Sequence, residues 1–397
     1  MSAFMEPLKK KPKCRVELHV HLDGAVRVET IWELMKQKDI KLPGSGSLSD
    51  LKDAVTVRQP TNLAGFLSSF GIFIDALVGD LVVMERIAYE FVEDQAKQSV
   101  AYCEARFCPH LLVPQKVEEV ENDVTAESIL QAVLRGFTRG EEEFGTKVRA
   151  ILCCIRGKDE WSWDLLRLCE EYKDQGVVGI DVAGDEATCV NEFKDKQTAV
   201  QKVFTVARHT GLEGVQNSTK CSKAILVRSA LDELHVERIG HGYRVIEDED
   251  LFKRCIESGI HFEVCPMSSY LTGAIASLQT LTNRHPVLRF SEEGASFSIN
   301  TDDPLVTGLK LDDEYMFLKR YGFNEANFTR SNFQAALHSF LPPEEKKELL
   351  EQLHLAYGFI NPTSVIPPEV QLEENPERLA TTSPKPSISF GTWEERS

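Results

Sequence analysis

No hydrophobic run in this chain approaches the roughly 20 apolar residues that a membrane-spanning helix needs, so no membrane span is expected. Met1 to Arg15 holds no apolar stretch of the kind a secretory leader carries. Its cluster Lys9-Lys10-Lys11-Pro12-Lys13 reads as a solvated basic arm, with a nuclear signal as the alternative. The 10 cysteines include no CxxC pair, and zinc–thiolate ligation is not suggested. Cys153-Cys154 lies inside an apolar run, and the set reads as reduced core thiols of a cytoplasmic protein. Basic charge is scarce: 45 Lys and Arg face 62 Asp and Glu, for a net charge of −17. Nucleic-acid backbones are bound by clustered cations, so a nucleic-acid partner is excluded and a neutral small-molecule ligand is permitted.

What is present is a long alternation of strand-like and helix-like segments. The 397 residues, 42% hydrophobic, suffice for one large domain or two modest ones. Strand candidates are Val16–His21, Ala101–Phe107, Val148–Ile155, Val177–Val182, Val203–Ala207, Arg238–Gly242, His261–Cys265 and Phe297–Thr301. Amphipathic helices are expected between them at Met84–Lys97, Ala126–Phe144, Trp161–Tyr172, Ile225–Leu234 and Asp248–Glu257. This alternation fits an α/β fold, either a (β/α)8 barrel or an open parallel sheet. The first connection, Gly24 to Ser99, is a long insertion whose Leu63, Phe66, Leu67 and Phe70 have the spacing of a packed helical stripe. Beyond about Phe359 the periodicity fades, and Pro362, Pro367, Pro368, Pro376, Pro384 and Pro386 punctuate a tail expected to be disordered. The expected organisation is an arm over 1–14, a single barrel over 15–360 and a tail over 361–397, with no internal repeat.

The chemistry-bearing residues fall at strand ends. His19 and His21 are two apart on a candidate strand, so both imidazoles face one side and can meet at one metal ion. Arg238-Ile239-Gly240-His241-Gly242 ends a second strand with a histidine, and Ser298-Ile299-Asn300-Thr301-Asp302-Asp303-Pro304 ends a third with two carboxylates. Each has a plainer reading. A His-x-His pair is often two half-buried histidines, His241 between glycines could be a loop histidine, and Thr-Asp-Asp-Pro is by itself a turn.

Taken together the motifs resemble the adenosine deaminase family. The matching stretches are Val16–Gly24, Ala105–Leu112, Ala150–Cys154, Asp181–Glu186, Glu237–Tyr243, Phe262–Pro266, Ser268–Ala274 and Asn300–Leu305, in the family's order over the first 360 residues or so. The resemblance decides for the (β/α)8 barrel. It implies hydrolytic deamination of adenosine and 2'-deoxyadenosine to inosine and deoxyinosine with release of ammonia, in purine salvage, with one Zn2+ per chain and a small nucleoside as the partner. It fixes no oligomeric state. By the same resemblance His19, His21 and Asp302 are zinc ligands, and His241 is the catalytic group beside the attacking water. His21, Asp23, Gly184 and Asp303 bind the nucleoside, Asp23 at a ribose hydroxyl and Asp303 on the N7 side of the purine. The stripe around Phe66 is implied to help cover the pocket.

One motif is missing. The family takes its third zinc histidine and its catalytic glutamate from His-Ala-Gly-Glu at the end of the fifth strand, and the family's spacing from His241 lands on Asn217-Ser218-Thr219-Lys220. The stretch from about Ala187 to Ala224 lacks the family's pattern. His209 and Glu213, following the candidate strand Val203–Ala207, offer a displaced counterpart with one extra residue between them. Two readings follow: an active zinc deaminase, or a non-catalytic variant of the deaminase barrel.

Overall fold

The computed structural model describes residues 14–114, 124–184, 213–218, 224–275 and 284–358. Its centre is one parallel eight-stranded sheet in sequential order. The strands are β1 Arg15–His21, β2 Val100–Phe107, β3 Lys147–Ile155, β4 Val177–Ala183, β5 Glu213–Ser218, β6 Arg238–His241, β7 His261–Val264 and β8 Ser296–Ile299. The order closes on itself: Val20 of β1 pairs in parallel with Asp302, just past β8. This is the (β/α)8 barrel. Strands covered on both faces carry near-continuous apolar runs, and β1 is buried from Arg15 to Val20.

The outer helices follow the expected amphipathic stretches. Leu81–Lys97 and Ala126–Phe144 turn Met84, Ile87, Ala88, Phe91, Ile129, Val133 and Phe137 into the core. Thr125 and Ser128 form a reciprocal capping box that starts the second of these helices, and Gly145 ends it in a left-handed turn.

Two expectations change. The strand between β4 and β6 is Glu213–Ser218, whereas Val203–Ala207 lies outside the described residues, as does His209. The Leu63–Phe70 stripe is also not one helix. The α-helix stops at Leu67, and a short 3-10 turn covers Phe70–Ile72. Phe66 still packs, fully buried, against Leu271 and Val306, while Leu67 turns outward. Ser68 Oγ donating to the Gly65 carbonyl competes with helix continuation there. The expected tail, 361–397, and the arm up to residue 13 lie outside the described residues. No helix among the described residues is long and apolar enough to cross a membrane.

Candidate metal and nucleoside site

The site forms where β1 and β8 meet. β8 leaves the ladder at Ile299, earlier than the sequence suggests, because the Asn300 side chain takes over. Its Oδ1 accepts from the backbone N–H of both Leu18 and His19, at 2.8 and 3.1 Å. The chain then turns back to β1: Asp302 N donates to the His19 carbonyl at 3.0 Å, and His21 N donates to the Asp302 carbonyl at 2.8 Å. Asp302 is thereby threaded between the two histidines. Its φ of +65°, like the +57° of His241, is left-handed backbone in a non-glycine residue. Such strain is of order 1–3 kcal/mol and persists only where surrounding structure imposes it, typically at functional sites.

Asp302 Oδ1 lies 3.4 Å from Nε2 of His19 and 3.4 Å from Nε2 of His21. Its Oδ2 lies 3.6 Å from His241 Nε2 and accepts from Ser268 Oγ at 2.7 Å. Two donors bound to one zinc at about 2.0–2.1 Å in a tetrahedron sit roughly 3.3–3.4 Å apart, so these edges have the size of a zinc polyhedron. Of the expected ligands, Asp302 thus meets both His19 and His21, while the two histidines fall in separate groups that overlap at Asp302. Ligand atoms of His19, His241, Cys265 and Asp302 all lie within 4.8 Å of one another, as do those of His21, Asp302 and Asp303.

The hydrogen bonding of His19 shows what this pocket is built to accept. Its Nδ1 donates to Glu263 Oε2 at 2.7 Å. Burial pushes the Glu263 carboxyl up, but the Arg106 and Arg238 guanidinium groups and His19 outweigh it and hold Glu263 well below the usual carboxylate range. An ionised carboxylate only accepts, so His19 Nδ1 carries a proton, and the neutral ring then presents its Nε2 lone pair to the pocket. That nitrogen is buried, has no hydrogen-bond partner, and faces the carboxylate oxygen of Asp302. Two acceptors face one another across 3.4 Å in a buried setting, an arrangement that a cation between them relieves. The donor set fits zinc.

A buried ionic frame holds Glu263. Arg106 reaches Asp181 at 2.9 Å and Glu263 at 2.7 Å. Arg238 reaches Glu104 at 2.5 Å and Glu263 at 2.8 Å. Sequence reasoning assigned none of these a role, nor Cys265, Ser268 or Ser269, although all except Glu104 fall inside the matching stretches. A signal for Glu263 was present: an acid in the centre of the apolar strand His261–Cys265 needs a buried counter-charge.

The residues expected to bind a nucleoside follow the C-terminal ends of β1, β4 and β8. Asp23 begins a 3-10 turn after β1, and its Oδ1 is buried with no hydrogen-bond partner. Burial pushes its carboxyl up to about 6, against bonds from its own and the Gly24 backbone N–H. Such an oxygen suits a ligand hydroxyl. Gly24 leaves room for Asp303: a Cβ there would fall 2.1 Å from Asp303 Oδ1. Gly184 follows β4 with a φ of +97°, a conformation open to glycine, and its carbonyl lies near Arg156. Glu213 is not at the mouth. It opens β5 and pairs with Gly179 early in β4, about 16 Å along the strand from Ser218 at roughly 3.3 Å per residue. The displaced-motif reading therefore fails for Glu213. The residues at the β5 tip are Asn217 and Ser218, whose backbones pair with Gly240 and His241.

A parallel barrel with imidazoles and a carboxylate gathered at its C-terminal mouth has the architecture of a metal-dependent hydrolase. The sequence profile of adenosine deaminase matches residues 12–356. Adenosine deaminase of Xenopus tropicalis is 42% identical over 361 residues, covering 89% of this chain and 98% of that protein. Adenosine deaminase of Mus musculus is 43% identical over 357 residues, covering 88% and 99%. A cog1816 amidohydrolase from Burkhoderia ambifaria, solved with bound Zn, superposes with a TM-score of 0.74 at 21% identity, covering 90% of this chain and 96% of that one. The chain belongs to the adenosine deaminase family.

Proposed function

We propose that the barrel mouth is a zinc and nucleoside site whose reaction is the hydrolytic deamination of adenosine and 2'-deoxyadenosine, giving inosine or deoxyinosine and ammonia. Membership of the family supports this, and the observation that carries it is the pair of facing acceptors on His19 and Asp302. His19 and Asp302 hold one zinc, with His21 as the further protein ligand that the resemblance assigns. Zinc, when bound, lowers the pKa of water at the mouth and so supplies a nucleophile at neutral pH. Asp23 takes a ribose hydroxyl, Gly184 brings backbone to the base, and Asp303 binds the N7 edge of the purine. His241, fixed through Nδ1 to Ser269 Oγ at 3.0 Å, stands where the attacking water is oriented.

A second reading, nucleoside binding without effective turnover, is favoured by the β5 tip. Asn217 stands where the resemblance expects an imidazole, and Lys220 where it expects the glutamate that protonates the purine. General acid catalysis is typically worth about 10²–10⁴-fold. The test is zinc-loaded full chain with adenosine, following ammonia and inosine. Turnover at an ordinary enzymatic rate supports the first reading. Stoichiometric zinc and nucleoside binding with turnover slowed by about 10²-fold or more supports the second. Absence of zinc and nucleoside binding overturns both.

A further inference from the structure

Behind the turns that follow β1 and β8 lies a cavity of about 380 Å³, whose lining includes none of the residues placed at the mouth. That volume is in the range of small-molecule sites, roughly 300–1,000 Å³. Its walls are the start of the helix Val28–Gln37, the end of the helix Leu81–Lys97 and the segment Pro304 to Lys310. Cross-links fix these walls: Val57 N donates to the Val306 carbonyl at 2.8 Å, and Leu311 N donates to Gln98 Oε1 at 2.8 Å. Phe91 and Leu305, both buried, give the cavity an apolar side. Gln95 also lines it, is 3% exposed and bonds Glu17, yet its Oε1 is buried with no hydrogen-bond partner. An unpaired buried acceptor is costly, and a ligand N–H or O–H would satisfy it. The charges point the same way. Arg27 and Lys97 are paired with Glu93 and Asp94. Lys52 and Lys310 line the cavity without an ion pair among the described residues, and Glu29 is the one lining carboxylate in that condition. One positive charge is left over, in a chain of net charge −17.

We propose that this cavity is a second ligand site, for a small organic monoanion. Its carboxylate is held by Lys52 and Lys310, its apolar ring packs on Phe91 and Leu305, and a hydroxyl or N–H on the ring donates to Gln95. The ligand acts on the mouth through two lining residues. Ala25 ends the 3-10 turn that carries Asp23, and Leu305 lies in the short helix Pro304–Thr307 that starts from Asp303. These segments meet closely, since a Cβ on Gly24 would fall 2.1 Å from Asp303 Oδ1. A filled cavity braces both, so nucleoside binds more tightly when the anion is bound. The coupling rests on the reading of the mouth as a nucleoside site, and the cavity site does not.

The test is calorimetric titration of the full chain with 4-hydroxybenzoate, with 4-hydroxybenzyl alcohol and acetate as controls. Expected is one equivalent of 4-hydroxybenzoate, with both controls at least about tenfold weaker. K52E and K310E should each weaken it by about tenfold or more, the loss expected for a hydrogen bond to a charged group. V28W, which fills the cavity, should weaken it likewise. Saturating inosine should tighten 4-hydroxybenzoate by about fivefold, and 4-hydroxybenzoate should tighten inosine by the same factor. Failure of 4-hydroxybenzoate to bind, or binding that K52E and K310E leave unchanged, overturns the cavity site. Displacement of 4-hydroxybenzoate by inosine places it at the mouth and overturns the proposal as well. Lysine-dependent binding with no mutual effect overturns the coupling and supports the site. Lysine-dependent binding by a chain that fails to bind inosine overturns the reading of the mouth and leaves the cavity site standing. Far-ultraviolet circular dichroism checks the fold of each variant. Should V28W fail to fold, the two exposed lysines decide.

Discussion

His19 and Glu263 share a hydrogen bond of 2.7 Å in a place where neither side chain meets solvent. The bond sets the tautomer of the one and depends on the ionisation of the other, and two arginines guarantee that ionisation.

Replacing Glu263 with Gln therefore has two effects. The His19 ring loses its anionic partner, and loss of such an outer contact typically costs 10–100-fold in metal affinity. Arg106 and Arg238 also lose a buried counter-charge, and breaking a buried pair costs about 3–5 kcal/mol. We expect E263Q to bind zinc at least about tenfold more weakly and to unfold at markedly lower urea. Metal competition titrations and urea unfolding measure the two effects separately. A variant that keeps its zinc affinity would remove Glu263 from the site.

Gly24→Ala should act on the nucleoside. The added methyl would fall 2.1 Å from Asp303 Oδ1, so Asp303 must move. Overpacking of this kind costs about 1–3 kcal/mol. We expect nucleoside affinity to fall by about tenfold while zinc content is unchanged, since Gly24 lies outside both ligand groups. Calorimetric titration with inosine reads the first, and metal analysis the second.

Acid should weaken the fold through His285. Burial pushes this imidazole down from its ordinary 6.5 to about 3, and its ring lies among Tyr243, Phe317 and Tyr321. Its Nδ1 accepts from Val287 N, capping the helix Pro286–Glu293, and only an unprotonated ring can do so. The unfolded chain takes up a proton below about 6.5 and the folded chain does not until about 3. Stability is therefore full above 6.5 and falls with pH below it, by about 1.4 kcal/mol per unit from this group alone. His338, pushed down to about 4 by burial and then by Arg238 and Lys346, works in the same direction. H285N keeps an N-cap acceptor and removes the titration. Urea unfolding at pH 7, 6 and 5 should show a shallower loss for H285N, and an unchanged slope would refute the assignment.

Restoring His-Ala-Gly-Glu at Asn217–Lys220 should return the motif that the sequence lacks. The substitution supplies an imidazole and a proton donor together, so adenosine turnover should rise by about 10²–10⁴-fold. Steady-state ammonia release is the measurement. Turnover that stays at the level of the unmodified chain would show that the four replaced residues are not what limits it.

Much of this was legible in the sequence because it was local. The strand ends at His21 and His241 follow from period-two patterning and the residues that break it, whereas Asp302 falls past the end of β8. The fifth strand was misplaced for an opposite reason. Val203–Ala207 is the more β-branched and apolar run, while Glu-Gly-Val-Gln-Asn-Ser has a weak propensity, and its place between β4 and β6 is settled by its neighbours. The Glu263 frame was invisible for a third reason. Its partners lie 25 to 157 residues apart along the chain, and no short window contains both ends of such a bond.

The two backbone bonds that tie Asp302 to His19 and His21 also complete the barrel. They join segments some 280 residues apart, so the seam is among the longest-range contacts the chain must make, and such contacts are slow to form. The donors reach their places only when this seam zips. With its last strand undocked the chain has no Asp302 beside His19 and His21, so metal uptake at this mouth would time how the barrel shuts.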